Sequence, residues 1–140
     1  MSTQAHASDE SSLKLSYADT VLAEITRKRQ VWLAAQAGMP QRDIARGAHM
    51  SQSTVHRVLK QAQITGTDES IEEIVLSRFV GVIDTPTMME RLAGYRRWVP
   101  RVIDPVDGIL PGDSQAEVEA LVDDGFLSDD EADAILDAHG

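Results

Sequence analysis

The chain has 140 residues, no cysteine and a formal net charge of −10 at pH 7. Its length suits one small domain with appendages or two very small ones. The lack of cysteine excludes a disulfide framework and a thiolate metal site, and no apolar run approaches the roughly 20 residues of a membrane span. We therefore predict a cytoplasmic protein without membrane contact and without a secretory signal.

The first predicted elements are a polar tail and a long helix. Residues 1–17 begin with MSTQAHASDESS, a composition typical of a disordered tail. Over residues 20–36 apolar residues recur at helical spacing, and among them Trp32 is the expected core anchor of a small domain. Three basic residues at 27–29 lie along the edge of this apolar stripe. Pro40 then suits the start of the next helix.

The segment 41–61, QRDIARGAHMSQSTVHRVLKQ, predicts two short helices joined by a tight turn. Its inward-facing residues recur at helical spacing: Ile44, Ala45, Ala48, Val55, Val58 and Leu59. His49 and Met50 form the turn, since His is one of the few non-glycine residues that tolerate a left-handed backbone. Met50 points back into the core. Ser51 suits the N-cap of the second helix, because its hydroxyl can accept from unpaired N–H groups of the first turn.

The outer face of this segment carries residues suited to duplex DNA. Gln can pair with adenine, Arg with guanine and Ser with several bases, and a recognition helix reads bases mainly with its N-terminal residues. The predicted base-reading residues are Gln52, Ser53, His56 and Arg57. The predicted phosphate contacts are Gln41, Arg42, Ser51, Thr54 and Lys60. The first two of these open a helix, where the N–H groups and the dipole favour an anion.

This segment resembles the bacterial and phage helix-turn-helix superfamily, as seen in sigma-factor region four and many small repressors. The resemblance covers residues 20–62, less than a third of the chain, and is carried by Ile44, Ala45, Met50, Ser51, Thr54, Val55 and Leu59. It departs from the usual pattern in having His49 at the turn glycine and an additional glycine, Gly47. The resemblance implies a three-helix domain over 18–64 that binds double-stranded DNA in the major groove.

A helical connector over residues 65–99 follows. Thr85 and Pro86 predict the start of its second helix, with Thr85 as N-cap and proline at the first helical position. In the Arg-Arg-Trp cluster at 96–98, we expect Trp98 to pack against the protein and the arginines to face water.

A linker over residues 100–113, rich in Pro and Gly, precedes an acidic helical hairpin over 114–140. Capping boxes mark the two hairpin helices, Ser114 with Glu117 and Ser128 with Glu131. A hairpin of this length buries little surface alone, so its apolar side must pack on the DNA-binding domain, on another copy or on a partner. The candidate partner-binding residues are Phe126, Leu127, Ile135 and Leu136. The corner GFLS at 125–128 weakly repeats the corner GVID at 81–84.

Charge divides the chain into a basic and an acidic part. Residues 20–62 contain seven Lys/Arg and two Asp/Glu, a net charge of +5, whereas residues 63–140 contain five and eighteen, a net charge of −13. Phosphate repels the acidic part, so we expect it to sit away from the duplex. It either binds a protein partner or a second copy through residues 65–140, or it limits unspecific DNA binding.

No motif predicts catalysis or a cofactor. The four histidines are scattered, so no metal site is expected. The acidic residues between 123 and 133 lack the ligand spacing of a calcium loop. Neither a phosphate-cradling glycine loop nor a nucleophile motif is present, and we expect a protein that is not an enzyme.

The sequence therefore predicts an all-α fold, in which a three-helix helix-turn-helix domain precedes a small acidic helical region. We expect a sequence-specific transcriptional regulator, a repressor, whose acidic half serves assembly or partner binding. One alternative is an antitoxin-like protein that neutralises a toxin and autoregulates its operon. Another is an accessory factor that binds sites on phage or plasmid DNA. A homo-oligomer is open, since most such DNA-binding proteins act as symmetric pairs.

Overall fold

The structure, a computed structural model, describes residues 2–109 and 112–140, with side chains for 9–108 and 112–140. Met1, Leu110 and Pro111, which belong to the predicted tail and linker, lie outside this part. Helices make up most of it, which confirms the all-α prediction at the level of fold class. Within the described residues no helix is both long enough and apolar enough to cross a membrane.

Seven helices and one short strand pair follow one another along the described chain. The helices are α1 (Ser2–Gln36), α2 (Gln41–Ala48), α3 (Gln52–Thr65), α4 (Ile71–Phe79), α5 (Thr85–Ala93), α6 (Ser114–Asp123) and α7 (Asp129–His139). Between α5 and α6 lie strands β1 (Ile103–Asp104) and β2 (Gly108–Ile109), which pair antiparallel. The strand pair falls within the segment 100–113, for which the sequence predicts an irregular linker.

Two compact units divide the chain, and helix α1 contributes to both. Unit 1 comprises residues 1–18 and 70–140, and unit 2 comprises residues 19–69. The helical start of α1 at Ser2 differs from the disordered tail predicted over 1–17. The polar composition concealed a docking contact: the ring of Tyr17 stacks on that of Phe126 with a centroid distance of 5.9 Å. Such packing stabilises a helix that composition alone would not.

Unit 2 has a small core built by the last turns of α1 together with α2 and α3. Its buried residues are Val31, Ile44, Ala45 and Val55, with Ala34, Ala35, Ala48, Met50, Val58 and Leu59 packed around them. The inward face predicted for residues 44–59 is thereby confirmed. Trp32, predicted as the core anchor, is only half-buried, whereas Val31 is 2 % exposed. One residue along a helix turns the side chain by about 100°, and the smaller Val31 faces α2 and α3.

Unit 1 joins segments that the sequence predicts as separate regions. Helix α4 packs on α5 and α6, and α7 packs on α5 and α6. The acidic hairpin of α6 and α7 therefore buries its apolar side against the connector helices α4 and α5. The core of unit 1 is formed by Ala18, Ile71, Ile74, Val75, Leu76, Met88, Leu92, Val118, Leu121, Phe126, Leu127, Ala132 and Ile135.

A partly buried ion pair ties α4 to α7. The Arg78 guanidinium donates to both carboxylate oxygens of Glu131, at 2.7 and 3.0 Å, and to the carbonyl oxygen of Phe126 at 3.0 Å. The side chains of Arg78 and Glu131 are only 20 % and 21 % exposed. This geometry is bidentate, which makes it stronger and more directional than a surface ion pair. It pins the corner between α6 and α7 to the end of α4.

The pKa values of two carboxyl groups of unit 1 are shifted in opposite directions. Hydrogen bonds from Arg78 hold the pKa of Glu131 below its ordinary value, and the N–H of Ser128 adds to this effect. In Glu117, partial burial raises the pKa, and the negative charge of Glu72 raises it further. Ionised Glu131 is therefore favoured by the folded state, whereas ionised Glu117 is disfavoured.

The two helix corners of unit 1 share one backbone geometry, which substantiates the weak sequence repeat. Gly81 and Gly125 have φ angles of 89° and 83°, a left-handed region that favours glycine. The N–H groups of Val82 and Phe126, one residue later, each donate at 2.9 Å to a carbonyl five residues earlier. These bonds satisfy carbonyls that the helix end leaves unpaired.

Helix starts in unit 1 are capped by side chains, in two cases by a residue one position earlier than predicted. Asp84, not Thr85, caps α5, and Asp113, not Ser114, caps α6. A carboxylate accepts the N–H bond more strongly than a hydroxyl, and Ser114 instead accepts from the N–H of Val99 at 2.7 Å. The capping box predicted at Ser128 is confirmed.

Candidate nucleic-acid interface

The turn between α2 and α3 is a complete Schellman motif. His49 has φ 54° and ψ 47°, the left-handed conformation predicted for it. Its N–H donates to the carbonyl of Arg46, and the N–H of Met50 donates to that of Ala45 at 3.0 Å. Met50 packs against the core that contains Ala45, which is the apolar contact typical of this motif. A Cβ at Gly47 would meet no atom within 4 Å, so packing in unit 2 does not require this glycine.

Hydroxyl groups of Ser51 and its neighbours cap the start of α3. Ser51 Oγ accepts from the N–H of Thr54 at 3.1 Å and donates to Thr54 Oγ1 at 2.8 Å. It also lies 3.1 Å from the hydroxyl of Ser53. The N-cap prediction for Ser51 is confirmed. The hydroxyls of Ser51 and Thr54, predicted as phosphate contacts, have at least this structural role.

The outward face of α3 is polar and open. Exposed residues on it are Gln52, Ser53, His56, Arg57 and Lys60, all of which the sequence predicts to contact DNA. Their spacing of one, four, five and eight residues from the first puts them on adjoining faces of the helix. Within the described residues, Gln52, His56, Arg57 and Lys60 form no hydrogen bond or ion pair. These donors and acceptors are therefore available to a ligand.

The start of α2 differs from the other short helices of the chain. Its N-cap is Pro40, which provides no side-chain hydrogen bond. Gln41 and Arg42, the two predicted phosphate contacts on this helix, are both exposed. The guanidinium of Arg42 lies 3.8 Å from the carboxylate of Asp43, and its side chain is 73 % exposed. The start of α2 thus has no side-chain cap and lies beside an exposed cation, an arrangement that favours an anion.

The basic run at 27–29 is largely engaged inside unit 2, which the sequence did not indicate. Arg27 Nη2 and Nε donate to the carbonyl oxygen of Ala48 at 2.5 and 3.2 Å. Arg29 Nε donates to the carbonyl oxygen of Thr67 at 2.9 Å. Lys28, between them, is exposed. The acceptors are main-chain atoms, which carry no signal in the residue types.

The predicted partner-binding residues lie in the interior of unit 1. Phe126, Leu127 and Ile135 are 5 %, 5 % and 1 % exposed, and Leu136 is half-buried. Phe126 contacts Tyr17 and packs edge-on against Phe79 with a centroid distance of 4.9 Å. These side chains form no open partner surface, because α1, α4 and α5 already cover the apolar side of the hairpin.

The Arg-Arg-Trp cluster is divided as predicted. Trp98 is half-buried and stacks on the ring of His139, with a centroid distance of 3.9 Å and an interplanar angle of 4°. His139 Nε2 is 2.6 Å from the carbonyl oxygen of Leu92, so this nitrogen carries the proton. Arg96 and Arg97 are exposed. His139 thereby joins the end of α7 to Leu92 near the end of α5 and to the ring of Trp98.

Across the part of the chain with described side chains, no group of three or more acidic or histidine residues could hold a metal ion. Comparisons of the chain with models of protein families, with curated proteins and with solved structures found no match. Most of the predicted DNA contacts are exposed, and they lie on the outer face of α3 and at the start of α2.

Proposed function

We propose that this protein binds specific sequences of duplex DNA through the outer face of α3, and that it represses transcription from the sites it occupies. The observation that carries this proposal is the set of exposed, unpartnered side chains of Gln52, His56, Arg57 and Lys60 on a helix whose start is capped by Ser51. In a helix-turn-helix protein the second helix lies in the major groove and reads base edges with its N-terminal residues. Repression follows from occupancy alone, since a small protein bound at a promoter blocks the polymerase.

Two features support a role for α2 in holding the DNA backbone. Its uncapped start and Arg42 would bind one phosphate, as helix N-termini commonly do. Lys60, two turns along α3 from its start, would bind another. Such contacts fix the register of the protein on the duplex without reading sequence.

The distribution of charge supports the same proposal. Unit 2 contains seven Lys/Arg and five Asp/Glu, a net charge of +2, and unit 1 contains six and eighteen, a net charge of −12. Three of the seven basic residues of unit 2, Arg42, Arg57 and Lys60, are proposed contacts, whereas the acidic unit is repelled by phosphate. Affinity for arbitrary DNA is therefore low, and base contacts become decisive for binding.

The decisive experiment is selection of duplexes from a random pool by the full-length protein, followed by a salt titration on the selected duplex. We expect one motif, bound at least about 1,000-fold more tightly than its shuffled version. Affinity should fall with salt by a slope of about 0.9 for each phosphate contact. A palindromic motif would indicate binding as a symmetric pair.

The same experiment can refute the proposal. A pool without any enriched sequence at low salt would contradict sequence-specific DNA binding. The antitoxin-like alternative, in which the protein binds a protein partner, would then be favoured. Uniform enrichment of all duplexes, with a salt slope but no motif, would instead leave a DNA-coating or accessory role.

A further inference from the structure

Arg27 lies on α1, outside the two helices proposed to contact DNA, and two of its three guanidinium nitrogens donate hydrogen bonds within unit 2. Nε and Nη2 donate to the carbonyl oxygen of Ala48, and Nη2 also donates to that of His49 at 3.2 Å. The remaining nitrogen, Nη1, is 3.6 Å from the carboxylate of Glu24. Because Nε and Nη2 are bonded to the turn and a carboxylate lies beside Nη1, Arg27 is poorly placed to bind a phosphate, although its side chain is 41 % exposed.

The two carbonyls held by Arg27 belong to the turn that leads into α3. Ala48 is the last residue of α2, and His49 is the left-handed residue of the Schellman motif. The motif itself satisfies the carbonyls of Ala45 and Arg46 through N–H groups of the turn. Arg27 donates to two carbonyl oxygens farther along the turn, those of Ala48 and His49, and its positive charge is favourable at a helix C-terminus.

Only two residues separate this clamp from the first residue of α3. Met50 is anchored in the core and Ser51 caps α3, so the path of residues 48–51 determines the direction from which α3 begins. A change at the carbonyl of His49 would tilt α3 and displace its outward side chains. Base readout requires donors placed to within a fraction of an ångström.

We propose that Arg27 is a positioning residue for base recognition: it orients α3 by clamping the end of α2 and makes no contact with DNA. This inference rests on the proposed function. It assigns an internal role to a residue of the basic run that would otherwise be counted as a phosphate contact.

Arginine and lysine differ in a way that tests the inference. The planar guanidinium reaches two carbonyls at once, whereas the ammonium of lysine is a point charge with the same sign. Arg27→Lys therefore keeps the charge and removes the clamp. The neighbouring exposed residue Lys28 is the matched control, since Lys28→Ala removes a charge from the same run without touching the turn.

The experiment uses the full-length protein with its selected duplex and a shuffled duplex, each over a salt series. We expect Arg27→Lys and Arg27→Ala both to weaken binding to the selected duplex about three- to tenfold, within the range of charged hydrogen bonds that are partly exposed. Binding to the shuffled duplex and the salt slope should stay unchanged. Thermal unfolding of each variant verifies that unit 2 is folded under the binding conditions.

Any of four results would overturn the inference. Wild-type affinity in Arg27→Lys would show that charge, not the clamp, is what matters. A salt slope reduced by about 0.9 in Arg27→Ala would identify a phosphate contact, as would an equal loss on both duplexes. Failure of the wild-type protein to bind any duplex would refute the proposed function, and this inference with it, whereas the first three results refute the inference alone.

Discussion

Unit 1 and unit 2 use their polar side chains in opposite ways. In unit 1, Arg78, Arg101 and the capping residues bind carboxylates and main-chain atoms of the same unit. In unit 2, Arg27 has this internal role, but Arg57 and its neighbours on α3 have no partner within the described residues. Exposed polar side chains without a protein partner bond to water and can exchange that water for a ligand, whereas partnered side chains stabilise the fold.

The largest effect expected on stability comes from removing the ion pair of unit 1. Glu131→Gln should lower the free energy of unfolding of unit 1 by about 2 kcal/mol at pH 7, since it removes a partly buried bidentate partner of Arg78. Because the folded pKa of Glu131 is lowered, the wild-type contribution is full above its ordinary pKa of 4.5 and is lost as pH falls through the lowered value.

Urea unfolding of the full chain at pH 7 and at several values below pH 4.5 measures this loss. Asp133→Asn on the exposed side of α7 is the matched control and should change stability little. An equal loss in both variants would mean that the net acidity of α7, not the pair with Arg78, is responsible. Neither variant should alter binding to the selected duplex if the two units have separate roles.

The second effect concerns base readout by unit 2. Arg57→Ala should cost about 1–3 kcal/mol of binding free energy on the selected duplex and relax the preference at one base pair. Lys60→Ala should instead weaken binding on every duplex and reduce the salt slope by about 0.9. Binding isotherms on the selected duplex and on its single-base variants distinguish the two. Equal loss on every sequence in Arg57→Ala would reassign Arg57 to a phosphate.

The third effect tests the turn before α3. His49→Val should destabilise unit 2 by about 1–2 kcal/mol more than His49→Gly, since a β-branched residue is poorly tolerated at φ 54°. Thermal unfolding of the two variants beside the wild type measures the difference. Similar stability in both variants would show that the left-handed conformation of residue 49 does not constrain the turn.

The smallest effect expected on stability concerns another carboxylate of unit 1, that of Glu117. Glu117→Gln should stabilise unit 1 at pH 7 by at most about 0.5 kcal/mol, because the carboxylate is only partly buried and solvent screens its repulsion from Glu72. Because the folded pKa of Glu117 is raised, its own contribution to wild-type stability is most favourable below its ordinary pKa of 4.5 and declines as pH rises through the shifted value. The gain should therefore disappear below pH 4.5, and a gain that persists there would reflect packing instead.

Local features were predictable from the sequence, whereas pairings between distant residues were not. The left-handed His49, the Ser51 cap and the Ser128 capping box each depend on residues within one turn, and all three are confirmed. Arg78 and Glu131 lie 53 residues apart in the chain, and no periodicity in the sequence predicts their contact. The helix over residues 2–17 was missed for the same reason, since it is fastened by Tyr17 to the distant Phe126.

Apolar residues at helical spacing also do not reveal which neighbour covers them. The sequence assigned Phe126 and Ile135 to a partner surface, and the fold buries both inside unit 1. For the candidate site, the outward face of α3 was predictable because amphipathic spacing separates core from surface. The use of Arg27 was not, because its acceptors are carbonyl oxygens common to every residue type.

The stack of Trp98 on His139 gives the protein a built-in optical label. The chain contains two tryptophans, Trp32 in unit 2 and Trp98 in unit 1. Replacing either one with phenylalanine leaves a single tryptophan in a known unit, so tryptophan fluorescence can follow the melting of each unit separately in the intact chain. The emission of Trp98 should in addition register the release of the last turn of α7, because detachment of His139 removes the ring that covers it.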